Sequence, residues 1–206
     1  MMRIYRIASN SLSSDNIGDN NMSFAQYFVS ILIDRFNRVY SFNYTPLSYY
    51  FQIFNRSIRL NYTHIHGSVG FDNQSIIFGF YAGTEIPEEY SFLYKSYNPY
   101  FKSNHLEEDL KKSNTIVFFG HSLNDNDFHY YESLFDEIIL GNRRNLYLSF
   151  IDQTYEDEHK LLNRIKGRGY NIDQLKLRCD YHFIPTQGGI NNHEELRELI
   201  CRLSYL

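Results

Sequence analysis

The hydrophobic pattern of the chain is clearest at residues 116–119, where four apolar residues run directly into Gly120. A short continuous apolar run is typical of a strand that is buried on both faces, as in a parallel sheet covered by helices. Asn124, Asp125 and Asp127 follow the glycine. Short polar side chains of this kind accept hydrogen bonds from the exposed N–H groups at the start of a helix. The pattern therefore predicts a buried strand, a tight turn and then a helix.

The same succession of strand and helix is predicted along most of the chain. Further strands are predicted at residues 38–42, 62–66, 75–78, 146–151 and 181–184. Helices are predicted at residues 24–36, 46–54, 86–112 with a break near Pro99, from the turn after Gly120 to about residue 140, 155–166 and 193–203. Strands that alternate with helices indicate an α/β fold whose sheet is mainly parallel and flanked by helices. The 206 residues fit a single domain of this kind, residues 1–206.

The N-terminal segment lacks such a pattern. Residues 9–23 are dense in Ser, Asn, Asp and Gly, and this composition buries too little apolar area to offset the entropy of ordering the chain. Residues 1–23 are therefore expected to be flexible or irregular. Arg3 and Arg6 precede a polar stretch, which is unlike a secretory signal. No apolar segment is long enough to span a bilayer, so we expect a cytoplasmic protein without a membrane partner.

Composition narrows the function classes further. The formal net charge is -4 and no long run of Lys or Arg occurs, so the sequence does not favour a nucleic-acid partner or an anionic membrane surface. The two cysteines, Cys179 and Cys201, are too few for a disulfide framework or a zinc site. They are expected to be reduced thiols.

Polar residues follow three of the predicted strands. Their motifs are Phe-Asn-Tyr-Thr at residues 42–45, His-Ile-His-Gly at residues 64–67 and Gly-His-Ser-Leu at residues 120–123. In open α/β sheets, ligands bind at the carboxyl ends of the strands. We therefore expect these motifs to converge on one pocket at one edge of the sheet.

The three motifs, followed by Asp127 and aromatic residues, resemble those of the AbiH family of bacterial abortive-infection proteins. More distantly, the sequence is similar to the sirtuin-like NAD-hydrolysing domains of anti-phage systems. The likeness covers roughly residues 39–151. It implies a Rossmann-like three-layer fold and a role in antiviral defence. It also implies that NAD is the substrate, that its nicotinamide–ribose bond is cleaved, and that no metal is needed.

The resemblance also implies roles for particular residues. His66 matches the catalytic histidine of the His-Gly pair and would act as the base. Asn43 matches the asparagine that orients the ribose and the attacking water. The residues expected to contact the nucleotide are Thr45, Gly67, Gly120, His121, Ser122 and Asp127.

The sequence departs from the family pattern in two places. Thr45 stands where the sirtuin-like hydrolases often have an aspartate. More important, the family begins with a strand and a glycine-rich GxGF loop, whereas Gly18 is the only glycine before Gly67. Without such a loop, the pyrophosphate lacks an evident cradle at a helix N-terminus. We therefore expect a shortened family member that binds NAD weakly. Alternatively, the domain is a non-catalytic nucleotide sensor or assembly module that acts as a homo-oligomer or with a defence-system partner.

Simpler structural roles and a different chemistry stay open for the same residues. Asn43, at a turn from strand to helix, has the residue type of a helix cap. His64 and His66 alternate on a predicted strand and would point to one face, which is also how two metal ligands are placed. With nearby acids and one more histidine they predict a metal-dependent hydrolase as a third alternative, although no HExxH motif accompanies them. The additional residues of this metal hypothesis are Asp125, Asp127 and His129.

Overall fold

The fold is built on a parallel sheet. The computed structural model describes residues 2–5, 36–45, 62–69, 76–80, 83–98, 105–187 and 194–204. Its strands are β1 (Met2–Tyr5), β2 (Arg38–Ser41), β3 (Tyr62–His64), β4 (Thr115–Phe119), β5 (Tyr147–Asp152) and β6 (Asp180–Pro185). All neighbouring strands pair in parallel, in the order β3-β2-β1-β4-β5-β6. The predicted α/β class, with a parallel sheet flanked by helices, is confirmed.

Strand β4 forms the interior of this sheet, as the apolar run predicted. All five of its residues are buried, because it has a neighbour on each side and side chains cover both of its faces. Phe118 stacks on Phe150 of the adjacent strand β5, with ring centroids 4.7 Å apart. The apolar run therefore corresponds to a strand whose two faces are both covered.

Strand β1 is central in the sheet, although the hydrophobic pattern did not predict it and it lies within residues 1–23, which were expected to be flexible or irregular. Met2 is in register with Arg38 of β2 on one side and with Ile116 of β4 on the other. A segment of four residues that includes Arg3 lacks the continuous apolar run by which buried strands are recognised. The strand is defined by its two neighbours, which come from distant parts of the sequence.

The described helices are α1 (Leu106–Lys112), α2 (Asp125–Phe128), α3 (Glu132–Ile139), α4 (Tyr155–Gly167), α5 (Ile172–Arg178) and α6 (Glu194–Ser204). One long helix was predicted where α2 and α3 lie. The chain instead turns at residues 129–131, where Tyr131 is completely buried and its hydroxyl contacts His121. This tertiary contact outweighs the helical periodicity. Helix α5 was not predicted because only Leu175 of its residues is buried, which is too little for a periodic signal.

The segment between β3 and α1 differs most from the prediction. Residues 76–78 do not form the predicted strand, and residues 88–97 form two 3₁₀-helices, Glu88–Leu93 and Lys95–Tyr97, instead of an α-helix. No residue of the first is buried, so no apolar face packs against the domain to support an α-helix. We call residues 76–80 and 83–98 the strap.

The strap is closed by backbone contacts around Gly79. Phe80 forms a parallel bridge with Tyr94, through Phe80 N to Leu93 O and Lys95 N to Phe80 O, both 2.8 Å. Gly79 has φ +131°, and a Cβ at this position would lie 2.0 Å from the Leu93 carbonyl oxygen. A glycine is therefore required here for the two ends of the strap to meet.

The remaining predictions divide between confirmed elements and residues outside the described ranges. The C-terminal pattern of strand, helix, strand and helix is confirmed by β5, α4, β6 and α6. Strand β3 ends at His64, two residues earlier than predicted, and Gly67 with φ 73° lies in the turn that follows. The predicted helix at residues 46–54 and, except for Phe36, that at residues 24–36 lie outside the described residues.

Candidate functional site

The ends of β2, β3 and β4 meet around the ring of Phe42. This residue directly follows β2 and is buried. Its ring centroid lies 5.3 Å from that of His66, after β3, and 4.7 Å from that of His121, after β4. The three motifs that the sequence analysis placed at strand ends therefore contact each other at one edge of the sheet.

A buried hydrogen bond joins the second motif to the aspartate that follows the third. His66 Nε2 lies 2.9 Å from Asp127 Oδ1, and the two side chains are 6% and 10% exposed. Asp127 is placed by the start of α2, where the Asn124 side chain accepts a hydrogen bond from the Asp127 N–H at 3.1 Å. The predicted helix cap thus orients one member of a buried histidine–carboxylate pair.

Lys95 of the strap completes this cluster. It is 6% exposed, and its Nζ lies 3.7 Å from Asp127 Oδ1 and 3.4 Å from His66 Nδ1. An ammonium group can only donate hydrogen bonds. His66 Nδ1 must therefore accept from Lys95, and His66 Nε2 carries the proton that is donated to Asp127. We call Lys95, His66 and Asp127 the tip cluster.

The sequence analysis did not name Lys95. It lies in a segment without clear periodicity, far from both of its partners along the chain. One signal was present, because Lys95 is the only Lys or Arg between Arg59 and Lys102. A single cation in a long aromatic-rich stretch is the residue to examine for a buried partner.

The charges of the tip cluster support one another. Burial acts to raise the pKa of Asp127, but the hydrogen bond from His66 and the positive charge of Lys95 oppose this effect, and that pKa lies below its usual range. Burial lowers the pKa of Lys95, and the Asp127 carboxylate opposes this effect. Burial and the neighbouring Lys95 charge lower the pKa of His129 to about 4. His129 is therefore neutral beside a buried carboxylate at neutral pH.

Asn43 connects the ends of β2 and β3 through its backbone. Its carbonyl oxygen lies 3.1 Å from His64 Nδ1 and accepts a hydrogen bond from that ring, and its N–H donates to Ser41 Oγ at 3.3 Å. The Asn43 residue is half-buried. Its predicted contact with the ribose stays a prediction, and the helix that it would cap, at residues 46–54, lies outside the described residues.

The side chain of His121 stabilises the turn after β4 through hydrogen bonds. Its Nδ1 accepts the Leu123 N–H at 3.0 Å, so its Nε2 carries the proton and donates to the Tyr131 hydroxyl at 2.9 Å. The turn needs left-handed backbone at Gly120, φ 58°, and at Leu123, φ 47°. The Ser122 carbonyl accepts a hydrogen bond from Arg164. The structure thus shows a rigid turn, and the nucleotide contacts of its residues stay predictions.

The other two residues that are predicted to contact the nucleotide, Thr45 and Gly67, follow β2 and β3. Thr45 is half-buried, and the preceding Tyr44 accepts a hydrogen bond at its carbonyl from Val69 N at 2.7 Å. Gly67 is buried in the turn after His66. These contacts place both residues at the edge of the sheet where the motifs meet.

Of the residues of the metal hypothesis, His66 and Asp127 are in contact, but no third one joins them to make a group of three ligand atoms among the described residues. Asp125 is 90% exposed and pairs with Arg168. Among the residues that the structure describes, only Asp180, His182 and Glu198 bring three ligand atoms within 4.8 Å of one another. Arg202 pairs with both carboxylates of that group, so a cation is already supplied there by the protein.

Comparison with known proteins identifies one family. A model of the bacteriophage abortive infection family AbiH matches residues 6–150, which is more than half of the chain. This match contains all three motifs and the whole tip cluster. No curated protein and no solved structure gave a match. Within the described ranges, none of the helices has the length and apolar character needed to cross a membrane.

Proposed function

The chain belongs to the AbiH family of bacteriophage abortive infection proteins, and we propose that it serves this defence role by cleaving the nicotinamide–ribose bond of NAD. The observation that carries the proposal is the buried pair of His66 and Asp127, 2.9 Å apart at the edge of the sheet. A carboxylate that orients one ring nitrogen of a histidine leaves the other to act as a base. The pair joins the second motif to the aspartate that follows the third, and the sequence analysis assigned both residues to the same site.

The reaction requires few protein groups. A water molecule attacks C1′ of the nicotinamide ribose, the bond from C1′ to the nicotinamide nitrogen breaks, and nicotinamide leaves as a neutral ring. The proton released by the water passes to His66 Nδ1. Asn43 would hold the ribose and the water, and the turn at Gly120, His121 and Ser122 would pack against the nucleotide.

The fold and the setting belong to the same proposal. The strand order, with a reversal between β1 and β4, supports a Rossmann-like three-layer arrangement in which a dinucleotide binds at the carboxyl ends of the strands. Cys179 and Cys201 are both free, which is compatible with the reducing cytoplasm, where NAD is available. A homo-oligomer or a defence-system partner would supply the pyrophosphate contacts that residues 1–36 do not offer in their sequence.

A specific observation also favours the second candidate, a non-catalytic nucleotide-sensing or assembly module. Both ring nitrogens of His66 are engaged by protein groups, Nε2 by Asp127 and Nδ1 by Lys95. A histidine whose two ring nitrogens are both engaged can have a structural role, in which it stabilises the fold and accepts no proton. The two candidates differ in whether a water molecule can reach Nδ1 when NAD is bound.

Nicotinamide release at saturating NAD separates these candidates. Loss of two or three charge-assisted pyrophosphate contacts, about 1.5–3 kcal/mol each, weakens NAD binding by roughly two to several orders of magnitude. We therefore expect weak binding by calorimetry and slow release. The variants His66→Gln and Asn43→Ala should lower that release, and removal of the base should cost about 10²- to 10⁴-fold.

The controls address stability and metal. His159→Gln replaces an exposed histidine of α4 and should release nicotinamide like the wild type. A strong chelator should leave the release unchanged, and loss of activity on chelation would favour the metal-dependent hydrolase. Binding of NAD without any release, in wild type and variants alike, would support the sensing module instead.

A further inference from the structure

The strap delivers Lys95 to the tip cluster by a defined set of backbone contacts. Ile77 N donates to the His66 carbonyl at 2.9 Å, which fixes the start of the strap to the turn that bears the histidine. The Phe80–Tyr94 bridge fixes its other end, and Lys95 N itself donates to the Phe80 carbonyl at 2.8 Å. These backbone contacts therefore hold Lys95 near His66 independently of any contact that its side chain makes.

The environment of Lys95 requires a charge balance. Asp127 is the carboxylate of the tip cluster, and besides Lys95 the groups that interact with it electrostatically include Tyr44, His66, His121, His129 and Tyr131. A buried carboxylate without a nearby cation is strongly unfavourable. Either Lys95 or a protonated His66 can supply the positive charge, and both would be unfavourable together because Lys95 Nζ lies 3.4 Å from His66 Nδ1.

We infer that Lys95 is a positioning residue whose ammonium group, by donating to His66 Nδ1, keeps that nitrogen unprotonated, and that Nδ1 acts as a base only when the ammonium group moves away from it. The charge of Asp127 is satisfied by Lys95, and the imidazole stays neutral with its proton on Nε2. The role in catalysis rests on the proposed NAD cleavage. The protonation state of His66 is a property of the protein alone and is measured without NAD.

The test is ¹⁵N NMR of the histidine side chains in the full chain at neutral pH. The wild-type His66 ring should show a protonated Nε2 and an unprotonated Nδ1, and its signals are assigned by their loss in His66→Gln. In Lys95→Met the buried carboxylate loses its cation, so His66 should take up a second proton and the unprotonated Nδ1 signal should disappear. Lys95→Arg retains a cation and should preserve the wild-type pattern.

Gly79→Ala provides a second route that leaves the tip cluster unchanged in sequence. Because a Cβ at this position meets the Leu93 carbonyl, the strap must shift and withdraw Lys95. The His66 signals should then change as in Lys95→Met. Gly169→Ala is the matched control, since that glycine also has positive φ but nothing within 4 Å of an added Cβ, and it should leave the His66 signals unchanged.

The outcomes separate this inference from the proposed function. A wild-type His66 that is protonated on both nitrogens, or on Nδ1 alone, overturns the inference even if neither Lys95→Met nor Gly79→Ala folds. An unprotonated Nδ1 that persists in folded Lys95→Met also overturns it. If the expected NMR pattern is found but wild type releases no nicotinamide, NAD cleavage fails while the role of Lys95 stands.

Discussion

Two regions of the molecule contain the same three kinds of charged group in different surroundings. In the tip cluster, Asp127 contacts His66 at 2.9 Å and Lys95 at 3.7 Å, and all three side chains are at most 10% exposed. This cluster lies where the strap and the turns after β3 and β4 meet. The described residues therefore shield the charges of this cluster from solvent.

The second region lies at β6 and α6, and we call Asp180, His182, Glu198 and Arg202 the β6 cluster. His182 Nε2 contacts Asp180 Oδ1 at 2.8 Å, and Arg202 Nη2 contacts Asp180 Oδ2 at 2.5 Å. The Asp180 and Arg202 side chains are each 41% exposed. These charges remain in contact with water.

The difference shows that burial, more than the identity of the charged groups, sets what a cluster can do. Charges at the surface are hydrated and screened by salt, so a pair of them contributes about 0–1 kcal/mol. In the interior, loss of one partner leaves another charge without solvent or counterion, at a cost of about 3–5 kcal/mol. Only in the tip cluster does loss of one partner therefore leave a buried charge uncompensated.

The largest expected effect is loss of stability in Asp127→Asn. The asparagine retains the shape of the side chain but leaves Lys95 buried without a carboxylate. We expect the free energy of unfolding to fall by about 3 kcal/mol, near the lower end of the range for a broken buried pair, because burial allows Lys95 to release its proton. Urea denaturation measures the change. The double variant Asp127→Asn/Lys95→Met should recover part of the lost stability. If it is no more stable than Asp127→Asn alone, the buried ion pair is contradicted.

An intermediate effect on stability is expected from His129, the histidine beside the buried carboxylate of the tip cluster. The β6 cluster has no equivalent residue. The pKa of His129 is lowered to about 4 in the folded protein and is about 6.5 when unfolded. Between these values the unfolded chain binds more protons, so stability should fall as the pH decreases from about 6.5 to about 4. After allowance for solvent screening, the loss is on the order of 1–2 kcal/mol.

The measurement is the free energy of unfolding from urea titrations at several pH values. His129→Gln should flatten the pH dependence in this window, while His159→Gln should leave it as in wild type. Asp127, with its depressed pKa, should lose its contribution only below about pH 4. An unchanged slope in His129→Gln would show that another group titrates.

The smallest effect is expected in Asp180→Asn, the surface counterpart of Asp127→Asn. Because Asp180 and Arg202 are partly exposed, we expect a change of less than about 1 kcal/mol that becomes smaller as salt is added. The loss in Asp127→Asn should change little with salt. A salt-independent loss of several kcal/mol in Asp180→Asn would remove the distinction between the two regions.

The elements that could be predicted from the sequence are those whose signal is local. The apolar run of β4 and the cap at Asn124 depend on neighbouring residues, and both were confirmed. The convergence of the three motifs followed from one general property of parallel sheets. In each case a short stretch of sequence contains the physical cause.

The elements that could not be predicted depend on distant partners. Strand β1 is recognisable only through its pairing with β2 and β4. The strap is long enough to form a helix, but its segment Glu88–Leu93 has no buried residue, and its geometry depends on the close approach of Gly79 to Leu93. Lys95 was missed for the same reason, since its burial is a consequence of the path of the strap.

The central position of β1 has a consequence for the order in which the chain folds. Among the described strands, β1 comes earliest in the chain, and its partner Ile116 in β4 follows more than a hundred residues later. Pairings between residues so far apart in sequence slow folding, because the loop between them must close before the contact forms. On the ribosome, β1 can pair with β2 early, but its other edge must wait for β4 to emerge. The two sides of the tip cluster, His66 after β3 and Asp127 after β4, come together only at that late step.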